Sequence, residues 1–215
     1  MVKPTLYKTK DGSNTLYVER LDEHYHSVHG AVQESQHIFI EQGLKQVLLN
    51  NSTPSILEIG FGTGLNCLLT FRNTSGVSYT GIEKYPVSTE QALKLEYAID
   101  EAELKIVQQI HEINFNKRLI FSGNSLLKLN NDVITFEFEK EEYDLIYFDA
   151  FSPESQPELW VETIFKKMYS ALKAGGILVT YCAKGVVKRR LKSVGFTIEN
   201  PPGPPGKREI TRATK

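Results

Sequence analysis

The chain has 215 residues, of which 40% are hydrophobic and 24% charged, and its net charge is −1. This length suits one α/β domain with a sizeable core, and the ordinary composition excludes collagen-like and disordered classes. No apolar run approaches the ~20 residues of a membrane helix, and residues 1–5 lack the apolar centre of a signal peptide, so we expect a cytoplasmic protein without a membrane segment.

The first fifty residues are predicted to form a hairpin and a helix. Polar and apolar residues alternate over 5–8 and 16–20 around a turn at 11–14, which is typical of two antiparallel strands. Apolar residues then recur at helical spacing between 31 and 49. We expect residues 1–50 to be an extension packed on one globular domain that spans residues 51–215.

From residue 51 onward, predicted strands alternate with predicted helices. This alternation indicates a doubly wound, mostly parallel sheet of the Rossmann-like α/β class, whose ligands bind beyond the carboxyl ends of the strands. The predicted strands are 55–60, 77–83, 118–122, 143–149 and 177–181, with a small extra strand at 133–138 and final strands near 196–199 and 208–213. The predicted helices start at 64, 88, 100, 157 and 184, and end near 71, 97, 111, 172 and 194.

Three alternate glycines, Gly60, Gly62 and Gly64, follow the first strand of this domain. A dinucleotide fingerprint would place its third glycine at position 65, which is a leucine. The observed spacing, with Glu58 just upstream, resembles motif I of class I S-adenosylmethionine-dependent methyltransferases. There the turn packs against the methionine end of the cofactor, whose cationic amine suits an acidic residue. A tight turn between strand and helix, with no ligand, is the alternative.

Polar residues stand at the ends of the next two predicted strands. Glu83 follows the glycine turn by about twenty residues, and its two oxygens can accept hydrogen bonds from both ribose hydroxyls. A surface ion pair with Lys84 is the alternative. Asn124 follows the third predicted strand, where class I methyltransferases often carry an Asp that contacts the adenine amino group. The carbonyl oxygen of an Asn can accept from the same group.

Asp149 ends the fourth predicted strand and opens the sequence Asp-Ala-Phe-Ser-Pro. A carboxylate at this position can accept a hydrogen bond from an amine, hold its lone pair in line with a sulfonium methyl, and take the released proton. We therefore predict that Asp149 is the catalytic residue of a methyl transfer to an amine. A helix N-cap is the alternative role.

Metal chemistry has little support in the sequence. His24, His26 and His29 lie close together along the chain, but their spacing matches no structural zinc pattern and no cysteine joins them. Cys67 and Cys182 are far apart and form no C-x-x-C pair. We expect no metal and no disulfide framework.

The charge of the chain is distributed unevenly. Residues 184–215 contain nine basic and two acidic side chains, so this section carries +7 and the rest of the chain −8. A basic section on an acidic body can attract a polyanion. A solvated helix face with a charged tail explains the same charge equally well.

Motifs along nearly the whole chain resemble the methyltransferase module of the MnmC family in its stand-alone form (MnmD). The resemblance is carried, in order, by Asp-Gly-Ser-x-Thr from 11, Tyr-His-Ser from 25, Gly-Ala-x-x-Glu-Ser from 30, the run 58–66, Ile-Glu-Lys from 82, the run 147–153, Pro-Glu-Leu-Trp from 157, the run 180–185, and the run 202–209.

This resemblance implies methylation of the primary amine of 5-aminomethyl-2-thiouridine at tRNA wobble position 34, which gives 5-methylaminomethyl-2-thiouridine. S-adenosylmethionine would be the donor and tRNA the partner; no protein partner is inferred. Bifunctional relatives carry a fused flavin oxidase, for which residues 1–215 have no room, so we expect no FAD and an aminomethyl substrate supplied from elsewhere.

The resemblance also implies site residues. Those expected at the cofactor are Glu34, Glu58, Gly60, Gly62, Gly64, Asn66, Glu83, Lys84, Asn124 and Asp149, and those expected at the substrate are Phe151, Ser152, Pro153, Lys207 and Arg208. Two alternatives stay open. One is a class I methyl or aminopropyl transferase that acts on a small-molecule amine, and the other is a non-catalytic module that binds RNA or the cofactor.

Overall fold

The first part of the chain forms a small antiparallel sheet. In the computed structural model, which describes residues 4–121 and 123–215, strands β1 (Thr5–Lys8), β2 (Asn14–Val18) and β3 (Glu23–His24) pair in the order β1-β2-β3. The turn between β1 and β2 closes through a hydrogen bond from Thr9 N to Ser13 O. The predicted hairpin is confirmed, although its second strand begins at residue 14.

A continuous helix, α1, follows and covers one face of the central sheet. It consists of Ala31–Ser35, a π-helical stretch Gln36–Leu44 and a last turn Lys45–Leu48, as predicted for 31–49. Gly43 lies where a Cβ atom would be 3.0 Å from Val179 and 3.2 Å from Tyr147. The missing side chain therefore lets the helix approach the sheet closely.

The central sheet has eight strands in the order β10-β11-β9-β8-β4-β5-β7-β6. The strands are β4 (Ser55–Ile59), β5 (Ser78–Ile82), β6 (Arg118–Phe121), β7 (Asn124–Leu129), β8 (Tyr143–Phe148), β9 (Leu172–Thr180), β10 (Thr197–Glu199) and β11 (Thr211–Thr214). Neighbours from β9 to β7 are parallel, whereas β6 and β11 run antiparallel to the strands they join. The predicted doubly wound, mostly parallel sheet is confirmed.

Helices pack on both faces of this sheet and enclose two apolar cores. They are α2 (Leu65–Asn73), α3 (Thr89–Leu93), α4 (Glu101–Glu112), α5 (Glu162–Ala171) and α6 (Gly185–Ser193). Ser88 caps α3 by accepting from Gln91 N at 3.3 Å, as predicted. The helix predicted from 157 begins as a separate 3-10 turn, Pro157–Leu159. No helix within the described residues has the length and apolar character needed to cross a membrane.

The third predicted strand is present, but its predicted place as a parallel strand of the sheet is wrong. Residues 118–121 form an antiparallel edge strand, and the predicted end of that strand, Ser122, lies outside the described residues. The parallel neighbour of β5 is β7, with Ser78 opposite Ser125 and Ile82 opposite Leu129. The extra strand predicted at 133–138 is also wrong, because that segment forms turns that begin at Asp132.

Candidate active site

A cavity of about 990 Å³ opens at the carboxyl ends of the parallel strands, the position where α/β sheets of this kind bind ligands. Its wall includes residues within 23–28, within the turn 59–66 (except Gly64), in 82–87 after β5, in 131–134 after β7 and within the loop 149–156. Glu34 on α1, Tyr181 and Lys207 complete it. The N-terminal extension therefore contributes to the same cavity as the sheet.

The glycine turn forms the floor of this cavity. Gly60 and Gly62 have φ of +83° and +49°, which favour glycine. A Cβ atom on Gly60 would lie 2.6 Å from the backbone oxygen of Asp149, and one on Gly62 would lie 3.0 Å from the Tyr25 ring. Both glycines are thus required by close contacts inside the protein. Gly64, at φ +73°, precedes the first residue of α2.

Glu83 faces the cavity just after β5, held by two backbone amides. Its Oε2 accepts from Gly62 N at 3.0 Å and its Oε1 from Tyr85 N at 2.8 Å. Burial raises the pKa of this half-buried carboxyl, although the backbone hydrogen bonds lower it. The alternative pairing with Lys84 does not occur, because Lys84 Nζ lies 2.8 Å from Asp132 Oδ2. A carboxylate has about four acceptor positions, so Glu83 can still accept a hydrogen bond from a ligand.

Asn66, in the first turn of α2, joins two carboxyl groups. Its Nδ2 donates to Glu58 Oε1 and to Asp149 Oδ2, both at 2.8 Å. Glu58 is 1% exposed, and its Oε2 accepts from the Tyr79 hydroxyl at 2.8 Å. Glu58 therefore does not face a cofactor amine directly, because its carboxyl lies under Asn66 and both of its oxygens are used by the protein.

The electrostatics single out Asp149, which is half-buried in the cavity wall. Burial raises the pKa of Asp149 to about 7, while the hydrogen bond from Asn66 and the charge of Lys207 oppose the rise. Burial, followed by the charge of Asp149, raises the pKa of Glu58. Asn66 Oδ1 is a buried acceptor with no hydrogen-bond partner among the residues that the structure describes. A free acceptor beside a titratable carboxyl suits a ligand that carries N–H groups.

The loop after Asp149 is held rigidly and contacts the N-terminal extension. Phe151 N donates to Gln156 Oε1 at 3.0 Å, and Trp160 Nε1 donates to Phe151 O at 2.8 Å. The Phe151 ring meets the Tyr25 ring edge-on, with 5.1 Å between centroids. Of the substrate residues predicted in this loop, Phe151 and Ser152 line the cavity and Pro153 does not.

Two residues of the extension that sequence reasoning missed lie at this contact. Glu23 accepts hydrogen bonds from the hydroxyls of Ser152 and, at 2.8 Å, of Ser155. Tyr25 covers Gly62 and Phe151. The Tyr-His-Ser motif marked Tyr25 only as part of a resemblance, and Glu23 has no signal in the sequence pattern.

Glu34 and Lys207 close another side of the cavity as an ion pair. Lys207 Nζ lies 2.6 Å from Glu34 Oε2 and 4.4 Å from the centroid of the Tyr181 ring. Glu34 also accepts from Ser27 N at 3.2 Å through its other oxygen. The neighbouring Arg208 is exposed and does not line the cavity.

Asn124 lies at the amino-terminal end of the parallel strands, whereas the cavity lies at their carboxyl ends. Its predicted contact with adenine is therefore wrong. Asn124 is the first residue of β7 and is 2% exposed; its Oδ1 accepts from Val77 N at 3.0 Å. The residues after β7 that line the cavity are 131–134, which begin with the polar pair Asn131 and Asp132. Burial alternates along 124–129 in the structure, but the sequence Asn-Ser-Leu-Leu-Lys-Leu does not alternate in polarity and so carries no signal for this strand.

The three N-terminal histidines have separate surroundings. His24 packs on the rings of Tyr7 and Tyr17, and His29 lies against Gly206. His26 is buried near Thr63, and burial lowers its pKa to about 4. Across residues 4–121 and 123–215, no group of three His, Cys, Asp or Glu side chains is arranged to hold a metal ion.

Comparison with known proteins agrees with this geometry. Residues 76–215, more than half of the chain, match a family described as S-adenosyl-L-methionine-dependent methyltransferase. The chain belongs to this family. This methyltransferase is 30% identical, over 93% of its length, to the tRNA 5-methylaminomethyl-2-thiouridine biosynthesis bifunctional protein MnmC of Cupriavidus metallidurans, and it covers 32% of that protein. It is 29% identical to the protein of the same name from Leptospira borgpetersenii, over 89% of its length and 32% of the relative.

The predicted resemblance to the MnmC methyltransferase module is thereby confirmed, and this methyltransferase spans about a third of the length of the curated relatives it matches. Among solved structures, MNMC2 from Aquifex aeolicus superposes with a TM-score of 0.81 at 24% identity, over 99% of this chain and 70% of that one. A spermidine synthase superposes with a TM-score of 0.60 at 16% identity, with the same coverage. At these identities the two structures show a shared fold.

Proposed function

We propose that this methyltransferase transfers a methyl group from S-adenosylmethionine to the aminomethyl nitrogen of 5-aminomethyl-(2-thio)uridine at tRNA wobble position 34. The observation that carries the proposal is the position of Asp149, half-buried between the glycine turn and the Phe151 loop, with a raised pKa. The names of the MnmC relatives support tRNA as the acceptor.

The residues at the glycine turn fit the cofactor. Glu83 can accept a hydrogen bond from a ribose diol, and the orphan Oδ1 of Asn66 can accept from an ammonium group. S-adenosylmethionine supplies an electrophilic methyl group on a sulfonium. The acidic wall formed by Glu34, Glu83 and Asp149 suits its positive charge. Lys84 acts indirectly, since it holds Asp132 at the cavity edge.

Asp149 performs the proton chemistry of the reaction. An amine attacks only through its free lone pair, so a proton must leave the nitrogen before or after transfer. A carboxyl with a pKa near 7 can accept that proton at neutral pH and orient the remaining N–H. Methyl transfer needs reacting atoms aligned at close range, and the hydrogen bond from Asn66 fixes the carboxylate for this purpose.

The acceptor side suits an extruded base. Specific RNA readers bind unstacked loop nucleotides on aromatic side chains. The edge-on pair of Tyr25 and Phe151 provides such a surface next to Asp149. Lys207 and the exposed Arg208 lie on a loop that can contact the phosphates of an anticodon.

The remaining parts of the proposal follow from this reaction. We propose a cytoplasmic enzyme that needs neither FAD nor a metal ion. Residues 1–50 act as an extension that completes the site on the domain 51–215, since Glu23, Tyr25 and Glu34 reach the cavity.

The test is methylation of tRNA isolated from cells that lack this activity, using labelled S-adenosylmethionine and nucleoside analysis. We expect label in 5-methylaminomethyl derivatives only, with an affinity for tRNA that falls steeply with salt. Label in a polyamine or other small amine, with no salt-dependent RNA binding, would favour the small-molecule alternative. Binding without any transfer would favour a non-catalytic module.

A further inference from the structure

Glu58 and Asp149 share one amide nitrogen. Asn66 Nδ2 lies 2.8 Å from an oxygen of each, so these two oxygens can be separated by no more than twice that distance, about 5.6 Å. Glu58 and Asn66 are 1% and 2% exposed. Two carboxylates within this distance, one of them fully buried, repel each other, and this repulsion favours retention of a proton by the pair.

In the described part of the chain, no cationic side chain binds Glu58. Tyr79 on β5 donates to Glu58, and the uncharged Cys67 on α2 and the carboxyl of Glu83 act on it from nearby. Asp149 faces Glu34 on α1, Tyr181 after β9 and Lys207 from the 201–210 loop. Lys207 is paired with Glu34 at 2.6 Å. The compensating positive charge therefore lies on the Asp149 side of Asn66.

A proton on Glu58 is compatible with its hydrogen bonds. Oε1 can remain the acceptor for Asn66, while Oε2 lies 2.8 Å from the Tyr79 hydroxyl. A hydroxyl can accept as well as donate, so a proton on Oε2 keeps a partner. Asp149, which is less buried and open to the cavity, is the cheaper place for a negative charge.

We propose that Glu58 is a positioning residue that stays protonated at neutral pH, so that it holds the Asn66 amide against Asp149 while the single negative charge of the pair lies at Asp149. Glu58 then acts on the reaction only through Asn66. The protonation state belongs to the ligand-free protein, and only its consequence for catalysis rests on the proposed function.

The direct test is infrared spectroscopy of the ligand-free protein at pH 8.5, where Asp149, with a pKa of about 7, is largely ionised. We expect the carbonyl band of a protonated carboxylic acid in the wild type and in Asp149→Asn, and its loss in Glu58→Gln. Glu41→Gln, a surface change on α1, is the control and should keep the band. Persistence of the band in Glu58→Gln, or its absence from the wild type, would overturn the proposal.

A second readout is the apparent pKa of Asp149, taken from the pH dependence of methyl transfer or of S-adenosylhomocysteine binding. Glu58→Gln replaces a neutral acid by a neutral amide, so the midpoint should move by less than about one pH unit. An ionised Glu58 predicts instead a fall of about two units on substitution. Glu58→Ala, which frees Asn66, should lower kcat, whereas Glu58→Gln should retain it. If the protein does not methylate tRNA but the infrared bands are as expected, only the proposed function is refuted.

Discussion

Lys207 pairs with Glu34 at one side of the cavity, with 2.6 Å between Nζ and Oε2, and so joins the C-terminal loop to the N-terminal helix α1. The two residues are far apart in the chain, and both line the cavity that contains Asp149. This contact gives the basic C-terminal section a role inside the site, beyond that of a charged surface.

Replacing Lys207 by Met should shift the pH profile of methyl transfer. The positive charge of Lys207 lowers the pKa of Asp149, so its removal should raise the midpoint of the profile. The salt dependence of tRNA binding should also fall by about one charge. Arg208→Met, at the exposed neighbour, is the matched control and should change only the salt dependence. An unchanged midpoint in Lys207→Met would contradict the role of the pair.

Asp149→Asn should lower kcat by about 10²- to 10⁴-fold, because it removes the group that accepts the proton. In the wild type, kcat/KM should rise with pH through a midpoint near 7, as the carboxyl ionises. This limb should be absent from the residual activity of the variant, while S-adenosylhomocysteine still binds. A variant that keeps the same limb would show that another group titrates.

The same substitution should change how stability depends on pH. The folded state raises the pKa of Asp149, so it favours the protonated form. The contribution of that form is fully present below the unfolded pKa near 4 and is lost as pH rises through about 7. The Tm of the wild type should therefore fall relative to that of Asp149→Asn between pH 4 and pH 8. Thermal unfolding at matched pH values measures the difference, and parallel curves would contradict the raised pKa.

Glu83→Gln should weaken S-adenosylhomocysteine binding by about tenfold or more, because hydrogen bonds to charged groups contribute roughly 1.5–3 kcal/mol. Lys84→Met is the neighbouring control. Its partner is Asp132, so the affinity should change little. Calorimetric titration of both variants checks the assignment. An equal loss of affinity in Glu83→Gln and Lys84→Met would contradict a specific hydrogen bond between Glu83 and the ribose.

Asn124→Ala should lower the free energy of unfolding by about 1–3 kcal/mol, because it leaves the buried Val77 N–H without its acceptor. S-adenosylhomocysteine affinity should stay at the wild-type value, since Asn124 lies at the amino-terminal end of the parallel strands, away from the cavity. Denaturant unfolding and binding measured on one preparation separate the two effects. Weaker S-adenosylhomocysteine binding with an unchanged free energy of unfolding would instead support a contact between Asn124 and adenine.

Residues that follow strands were predictable, because parallel strands bring their carboxyl ends to one edge. Gly60, Glu83 and Asp149 all reach the cavity for this reason. The prediction for Asn124 was wrong because two short strands, β6 and β7, lie close together in sequence. The sequence pattern does not show which of them joins the parallel sheet. The choice depends on pairing with β5, which is a long-range contact.

Contacts between segments that are distant in the chain could not be predicted from the sequence either. Glu58 precedes the glycine turn as expected, yet alternation along β4 turns its side chain toward Asn66 and Tyr79. Glu23 lies on the short strand β3 and Lys207 on a loop, and the positions of both depend on the packing of the whole chain. Their chemistry is visible in the sequence, but their partners are not.

Gly60 approaches the backbone of Asp149 so closely that a Cβ atom would lie 2.6 Å from the carbonyl oxygen. This contact constrains the sequence of the glycine turn more than that of the surrounding loops. Main-chain contact sets the distance between the turn and the acid, whatever side chains surround them. The sequences of the 150–156 loop and of the N-terminal strands can therefore change, and admit acceptors of other shapes, without moving the glycine turn relative to Asp149. Grafting those two segments from a relative is a practical route to changing the acceptor while the turn is left intact.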